Sequence, residues 1–191
     1  TLKRLFYGFL LPERVRNRLA EEATKLKATG VTADWTPPER MHVTLRFLGE
    51  TRDDVLVDAS GLLRDAAKGV RALKLVVKGL GTLPDDGPPR VVTVGVCGMD
   101  DAHEASLHGL RTRLNDGARA YGFRPEKGVF RPHVTLARLH GGTDGVELLL
   151  KKMGPGVRRE FAHFRVEEVA LFESAEIYAE RAYVPLAVVR L

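Results

Sequence analysis

The hydrophobic positions along the chain change several times between a strand pattern and a helical pattern. The apolar run at residues 2–10 stops just before a proline and predicts a buried strand. Pro12 opens the next segment, where apolar residues recur at helical spacing between charges, so residues 12–28 are predicted to form a helix. The same patterns predict three more helices, over residues 53–69, 100–122 and 144–154. Further strands are predicted over residues 42–49, 72–84, 90–98, 131–139, 159–174 and 182–191, with loops over 31–41 and 85–89.

One tetrapeptide, His-Val-Thr-Leu, occurs at residues 42–45 and again 91 positions later, at residues 133–136. Each copy lies in a predicted strand that follows a helix and a proline-bearing loop and precedes another helix. This order indicates a degenerate twofold repeat in which helices cover the sheets. We predict an α+β, bilobal fold with a pseudo-twofold internal repeat and antiparallel sheets flanked by helices around a central cleft.

The two copies of the tetrapeptide are expected to lie in one domain. No flexible segment rich in Gly, Pro or Ser divides the sequence. Residues 1–191 are therefore expected to form a single two-lobed domain. The strands at 42–45 and 133–136, here called the first and second motif, are expected to face the cleft, one from each lobe.

Strand alternation assigns a face to each side chain of the motifs. Successive residues of a strand point to opposite sides, so His42 and Thr44 share one face, and His133 and Thr135 do the same in the second motif. The hydrophobic residues between them, with Phe47, are expected to point into the core. Two imidazoles and two hydroxyls would then meet across the cleft.

This set of side chains suits the opening of a phosphodiester. The reaction needs a base for the nucleophile and an acid for the leaving oxygen, and imidazole can serve as either near neutral pH. Threonine hydroxyls can hold the non-bridging phosphate oxygens, and the arrangement requires no metal. A single strand histidine is more often a structural or exposed residue, so the matched pair carries the signal.

Two arginines are candidates for neutralising phosphate charge. Arg46 lies on the His42 face by alternation, and Arg131 would lie on the His133 face if its segment is extended. Either arginine taken alone is more often a solvated surface charge than a phosphate ligand. Arg138 is expected to point away from the cleft unless a β-bulge changes its direction.

The composition narrows the class of protein. Hydrophobic residues make up 44% and charged residues 29% of the chain, as in ordinary globular proteins. The formal net charge of +5 favours an anionic partner.

The single cysteine, Cys97, excludes an intrachain disulfide, indicates a reducing compartment and is expected to be buried. Because no apolar run has membrane-spanning length and the apolar start is too short for an export signal, we expect a cytoplasmic protein without membrane association.

The two motifs and their surroundings resemble a known family. The segments RLFYGFLLP, WTPPERMHVTLRFLGE, GLGTLPDDGPPRVVTVGV, FRPHVTLARL and VALFES are similar, in this order, to the RNA 2',3'-cyclic phosphodiesterase branch of the 2H phosphoesterase superfamily, formerly called 2'-5' RNA ligases. The resemblance covers nearly the whole chain. It implies a bilobal α+β fold and, as partner, an RNA with a 2',3'-cyclic phosphate end that is hydrolysed to a 2'-phosphomonoester. It also implies weak 2'-5' joining in reverse. We expect no cofactor, a substrate such as a tRNA fragment or a small cyclic nucleotide, and action as a monomer.

The resemblance also implies roles for the motif residues. His42 would be the proton donor to the leaving oxygen and His133 the proton acceptor from water, while Thr44 and Thr135 would hold the phosphate. The two histidines are symmetric in sequence, so the residues alone do not say which is the acid. The segment SAEIYAERAYVPL departs from the family by lacking a glycine before its tyrosine, which concerns contacts with the substrate end.

Other side chains and other functions remain open at this point. Four aromatic residues could stack on a base or belong to the core, namely Phe6, Trp35, Phe47 and Tyr121. The remaining histidines have no motif and no convincing metal-ligand spacing. Competing functions are a related phosphoesterase acting on a small cyclic nucleotide, a non-catalytic RNA-binding protein and, more weakly, a metallohydrolase.

Overall fold

The computed structural model describes residues 1–142 and 144–191, and within them the chain forms nine strands and four α-helices. The helices are α1 (Glu13–Lys27), α2 (Leu56–Ala67), α3 (Asp101–Ala120) and α4 (Val146–Met153). The strands are β1 (Leu2–Leu10), β2 (Ala33–Trp35), β3 (His42–Arg52), β4 (Leu73–Leu83), β5 (Val91–Gly98), β6 (His133–Leu139), β7 (Glu160–Val166), β8 (Glu168–Ile177) and β9 (Glu180–Arg190).

The strands form two sheets. Sheet one has the order β3-β1-β8-β9 and sheet two the order β2-β6-β5-β4-β7. Neighbouring strands run antiparallel throughout both sheets. The predicted fold class is therefore confirmed: this is an α+β fold with antiparallel sheets and helices. The first motif begins β3 at the edge of sheet one, and the second motif begins β6 in sheet two.

The half of the chain that contains the first motif and the half that contains the second each contribute strands to both sheets. Strand β4 follows the first motif in sequence but pairs with β5 and β7 in sheet two. Strand β8 follows the second motif but pairs with β1 in sheet one. One large hydrophobic cluster accordingly includes Tyr7 and Val43 of sheet one together with Val134 of sheet two and Leu107 of α3. Burial of this shared apolar surface fixes the two motif strands relative to each other.

Two predicted elements differ from the structure. Residues 159–174, predicted as one strand, are divided at Glu167 into β7 and β8, which belong to different sheets. The predicted loop over 31–41 contains the short strand β2, which pairs with β6. In both cases the strand is defined by its partner in the sheet, which local pattern does not reveal.

The cysteine is less buried than the sequence predicts. Cys97 lies in β5 and is half-buried. Burial raises the pKa of its thiol, with a smaller effect from the carboxylate of Glu104, so the thiolate is disfavoured. Its environment is that of a structural residue.

Candidate active site

The two motifs meet at one cleft. This cleft has a volume of about 1110 Å³, and its walls include His42 and Thr44 from β3 and His133 and Thr135 from β6. The structure therefore brings together the four residues that the repeated tetrapeptide singled out. Their side chains are half-buried, so they are accessible to a ligand in the cleft.

Each motif histidine is held by the same backbone contact. Nδ1 of His42 lies 2.8 Å from the carbonyl oxygen of Arg40, and Nδ1 of His133 lies 2.7 Å from the carbonyl oxygen of Arg131. A carbonyl oxygen only accepts, so Nδ1 carries the proton in both rings and donates it. Nε2 is left as the nitrogen that can exchange protons with a substrate. In the first motif this atom lies 3.1 Å from Oγ1 of Thr44.

A β-bulge follows the threonine in both motifs. Leu45 is the extra residue of β3 where the register with β1 shifts, and Leu136 is the extra residue of β6 where the register with β5 shifts. Each bulge reverses the alternation that follows. Phe47 therefore lines the cleft with 46% of its surface exposed, and the prediction that it points into the core is wrong. Arg138 occupies the equivalent place in β6 and also lines the cleft.

The first bulge also sends Arg46 inward, where it was predicted to reach the phosphate. The residue is 2% exposed and does not line the cleft. Its guanidinium donates to the carbonyl oxygens of Phe47 and Arg124 and lies 3.7 Å from Oε1 of Glu126. The predicted phosphate contact of Arg46 is thereby corrected: burial and these partners keep its charge behind the motif strand.

Glu126 connects the buried guanidinium of Arg46 to α3 and to the segment before the second motif. Its Oε1 accepts from the backbone N–H of Phe47 at 3.0 Å, and its Oε2 lies 2.8 Å from Nη2 of Arg111 on α3. Arg111 is 8% exposed, and its guanidinium lies over the ring of Phe130 at 5.2 Å. Glu126 and Phe130 belong to the segment that leads into the second motif. The backbone at the first bulge is therefore tied to the approach of the second motif strand.

Arg131 also lies outside the cleft. It is exposed and its guanidinium pairs with Asp85, so the structure corrects the prediction that it contributes to the cleft face. Arg40, which stands 91 positions earlier at the equivalent place before the first motif, does line the cleft. This difference arises in the loop before each motif, because strand alternation does not describe the conformation of a loop.

His42 has an aromatic environment. Its ring centroid lies 5.0 Å from that of Phe6 and 4.6 Å from that of Tyr183, which meets it edge-on. Burial lowers the pKa of His42, and the positive charges of His133 and Arg138 lower it further, against the raising effect of the Arg40 carbonyl. The neutral form of this imidazole is therefore favoured.

The aromatic residues named from the sequence fall in different places. Phe6, Trp35 and Phe47 line the cleft, whereas Tyr121 is exposed at the end of α3. Sequence reasoning missed Tyr183, which also lines the cleft. Its position beside His42 follows from the sheet order, because β9 and β3 are brought near one another only through β8 and β1.

The cleft carries a strong excess of positive charge. Asp34 is its single lining carboxylate among residues 1–142 and 144–191, and it lies 2.9 Å from Nε2 of His140. Five cationic residues line the same walls, namely Arg4, Lys27, Arg40, Arg138 and Arg181. Such a surface favours an anionic ligand, as the net charge predicted.

The other histidines do not line the cleft, although His140 pairs with the cleft residue Asp34. Each has a hydrogen bond or ion pair with a near neighbour, as seen for His103, His108, His140 and His163. In the described part of the chain, no group of three or more His, Cys, Asp or Glu side chains is placed to hold a metal ion. Among the same residues, no helix is both long and apolar enough to cross a membrane.

Comparison with known proteins places the chain in a family. The profile of the family described as LigT like Phosphoesterase matches it twice, over residues 10–93 and over residues 98–181. An RNA 2',3'-cyclic phosphodiesterase of Aeropyrum pernix is 36% identical over 139 residues, which are 72% of this chain and 76% of that protein. One of Methanothermobacter thermautotrophicus is 28% identical over 188 residues, 98% of each chain.

A solved structure agrees with this assignment. A crystal structure of a Thermus thermophilus protein superposes with a TM-score of 0.75 at 29% identity, covering 98% of this chain and 97% of that one. The resemblance drawn from the two motifs is confirmed, since the family profile covers most of the sequence and contains one motif in each match. The chain belongs to the family of LigT-like phosphoesterases.

Proposed function

We propose that this protein hydrolyses 2',3'-cyclic phosphate ends of RNA to 2'-phosphomonoesters by acid and base catalysis from two histidines. One observation carries the proposal: His42 and His133 line one cationic cleft, each with Nδ1 bound to a backbone carbonyl and Nε2 available for proton transfer. Relatives of this chain that are named RNA 2',3'-cyclic phosphodiesterase support the choice of substrate.

The proposed reaction transfers two protons. Nε2 of His133 takes a proton from a water molecule as its oxygen attacks phosphorus. The bond between phosphorus and O3' breaks, and Nε2 of His42 donates its proton to that oxygen. The product carries a 2'-phosphate and a free 3'-hydroxyl, and exchange with solvent restores both imidazoles.

The lowered pKa of His42 is compatible with the role of acid. A bound phosphodiester carries a negative charge, which favours the imidazolium form of a neighbouring histidine. Substrate binding would therefore protonate His42 at the place where the proton is needed. An imidazolium whose pKa is lowered by burial also gives up its proton to the leaving oxygen more readily.

Other cleft residues would hold the phosphate in place. The hydroxyls of Thr44 and Thr135 can donate to the non-bridging oxygens. Arg138 and Arg40 line the cleft and can neutralise the charge that develops on the phosphate. With a 5'-hydroxyl in place of water as the nucleophile, the same opening of the cyclic phosphate forms a bond between phosphorus and O5' as the bond to O3' breaks, and would join two RNA ends weakly through a 2'-5' linkage.

The experiment is a product analysis with matched variants. The wild type, His42→Ala and His133→Ala are incubated in excess chelator with a short RNA that ends in a 2',3'-cyclic phosphate. The phosphate position is then read by mass and by resistance to a 3'-specific phosphatase. We expect a 2'-phosphate product from the wild type and a loss of on the order of 10² to 10⁴ in kcat from each variant.

Different outcomes favour the other functions. Turnover of a small cyclic nucleotide such as an ADP-ribose cyclic phosphate, without turnover of RNA, would favour the related phosphoesterase activity. RNA binding that both alanine variants retain, without turnover of either substrate, would favour a non-catalytic role. Loss of wild-type activity in chelator would favour a metallohydrolase and overturn the two-histidine mechanism.

A further inference from the structure

The geometry points to a second anion subsite in the cleft, formed by Arg4 and Arg181, which binds the phosphate joining the last two nucleotides of the RNA. This inference rests on the proposed function and makes it more specific. The substrate would be an RNA chain of at least two nucleotides, and a cyclic mononucleotide would lack the anion that this subsite binds.

The subsite lies beside the aromatic residues that contact His42. Arg4 is two positions before Phe6 in β1, and Arg181 is two positions before Tyr183 in β9. Residues two apart in a strand share a face, so each arginine continues the cleft surface away from His42. All four residues line the cleft.

The distance along the strand suits an adjacent nucleotide. Two strand residues span about 6.6 Å, so both guanidiniums project from positions one such step beyond the rings that contact His42. Ser174 of β8 also lines the cleft and is the cross-strand partner of Tyr183, between the two arginine-bearing strands. A phosphate held at the motifs would therefore have its 5' neighbour near this pair.

Both arginines are available for an anion. They are exposed, and neither forms an ion pair with a carboxylate of residues 1–142 or 144–191, in contrast to Arg52 and Arg165, which are exposed and paired. The cross-strand neighbours of Arg4 and Arg181 are two glutamates that do not line the cleft, Glu50 and Glu176. Two exposed, unpaired guanidiniums on one wall are suited to bidentate binding of a phosphate.

Three other cations that line the cleft offer a competing position, namely Lys27, Arg40 and Arg138. We favour the Arg4 and Arg181 end because the rings of Phe6 and Tyr183 connect it directly to His42. These rings also offer apolar surface to the ribose or base of the terminal nucleotide.

The test compares two substrates that differ by one nucleotide. Adenosine 2',3'-cyclic phosphate lacks the bridging phosphate, whereas a dinucleotide that ends in the same group carries it. We expect the wild type to prefer the dinucleotide by about tenfold or more in kcat/KM, since a charge-assisted contact is gained. In Arg4→Gln/Arg181→Gln this preference should disappear, because hydrolysis of the dinucleotide falls by a larger factor than hydrolysis of the mononucleotide.

A matched control removes a charge from the same strand outside the cleft. Arg190 is exposed at the far end of β9 and does not line the cleft, so Arg190→Gln should keep the dinucleotide preference. A wild type that treats both substrates alike, a double variant that keeps the preference, or loss of the preference in Lys27→Gln instead would overturn the subsite.

A binding measurement separates this inference from the proposed function. Anisotropy is measured with a labelled dinucleotide that carries a 2'-phosphate at its end. The double variant should bind it more weakly, and the slope of log Kd against log salt should fall by about 0.7, the value for one lost phosphate contact with a single strand. If the wild type hydrolyses neither substrate, the proposed function fails. An unchanged salt slope in the variant would by itself refute the subsite.

Discussion

The two motif strands, β3 and β6, begin with the same four residues and use them in the same way. In both, the histidine donates from Nδ1 to the carbonyl two residues before it, and a bulge follows the threonine. The two copies therefore share more than residue types. In both strands the imidazole has the same tautomer, and the residues after the threonine change faces.

The surroundings of the two strands differ. The first bulge buries Arg46 and turns Phe47 to the cleft, whereas the second buries Ala137 and turns Arg138 to the cleft. Within the described residues, aromatic rings lie against His42 but not against His133. The repeat thus supplies two imidazoles that are held in the same way, and residues outside the tetrapeptide distinguish one from the other.

The largest expected effect comes from removing either histidine. His42→Ala and His133→Ala should each lower kcat by on the order of 10² to 10⁴, because acid or base catalysis is lost. The double variant should be only slightly slower than the slower single variant, since the two groups act as a unit. His163→Ala is a matched control outside the cleft and should keep wild-type kcat. Independent, multiplying effects of the two histidines would contradict the shared reaction.

The next effect concerns stability. Arg46→Ala places an alanine where the second motif strand has Ala137. It also leaves Glu126 with only one of its two arginine partners. Removing one partner of a buried ion pair typically costs about 3 kcal/mol, so the denaturant midpoint should fall clearly. Arg138→Ala removes the same side chain from an exposed position and should change the free energy of unfolding by less than about 0.5 kcal/mol. Equal effects of the two substitutions would mean that the buried network contributes nothing.

The motif positions could be predicted from the sequence because they depend on local rules. Alternation alone places His42 with Thr44, and His133 with Thr135, and both pairs line the cleft. The prediction failed beyond the threonines, at Arg46 and Phe47, because a bulge depends on how a neighbouring strand pairs. Gly8 shows this dependence: a Cβ there would lie 2.2 Å from the carbonyl oxygen of Val43, so β1 approaches β3 closely beside the first bulge.

Tyr183 and Arg181 could not be found from the sequence for a different reason. They lie about 140 residues after His42 and reach the cleft through the sheet order β3-β1-β8-β9. The residues of β4 and β8 likewise do not indicate that β4 belongs to sheet two and β8 to sheet one. The sequence repeat predicted which four side chains share the cleft, while long-range pairing determined what surrounds them.

The threonines should show a smaller effect that compares the motifs directly. Thr44→Val and Thr135→Val should each lower kcat/KM by about tenfold, as a hydrogen bond to the phosphate is lost. Thr44 also contacts Nε2 of His42, so Thr44→Val should in addition change the pH at which the rate falls on one side of the profile. Thr→Ser at each position should restore most of the activity. Identical pH profiles for the two valine variants would show that the contact with His42 does not affect its titration.

The smallest expected effect tests why the two histidines differ. Burial beside Phe6 and Tyr183 lowers the pKa of His42, so its imidazole should remain neutral until the pH falls below the ordinary value of about 6.5. Tyr183→Ala admits water to the ring, and the pKa of His42 should rise toward that value, which NMR titration of the imidazole resonances can measure. Tyr121→Ala removes an exposed tyrosine outside the cleft and should leave the titration unchanged.

Phosphate binding gives a second measurement of the same titration. Inorganic phosphate binds the imidazolium form of His42 better than the neutral form, so its affinity for the wild-type cleft should increase as the pH falls. The Tyr183 variant should reach this tighter binding at a higher pH. An unaltered titration in the Tyr183 variant would assign the lowered pKa to the nearby positive charges of His133 and Arg138 instead.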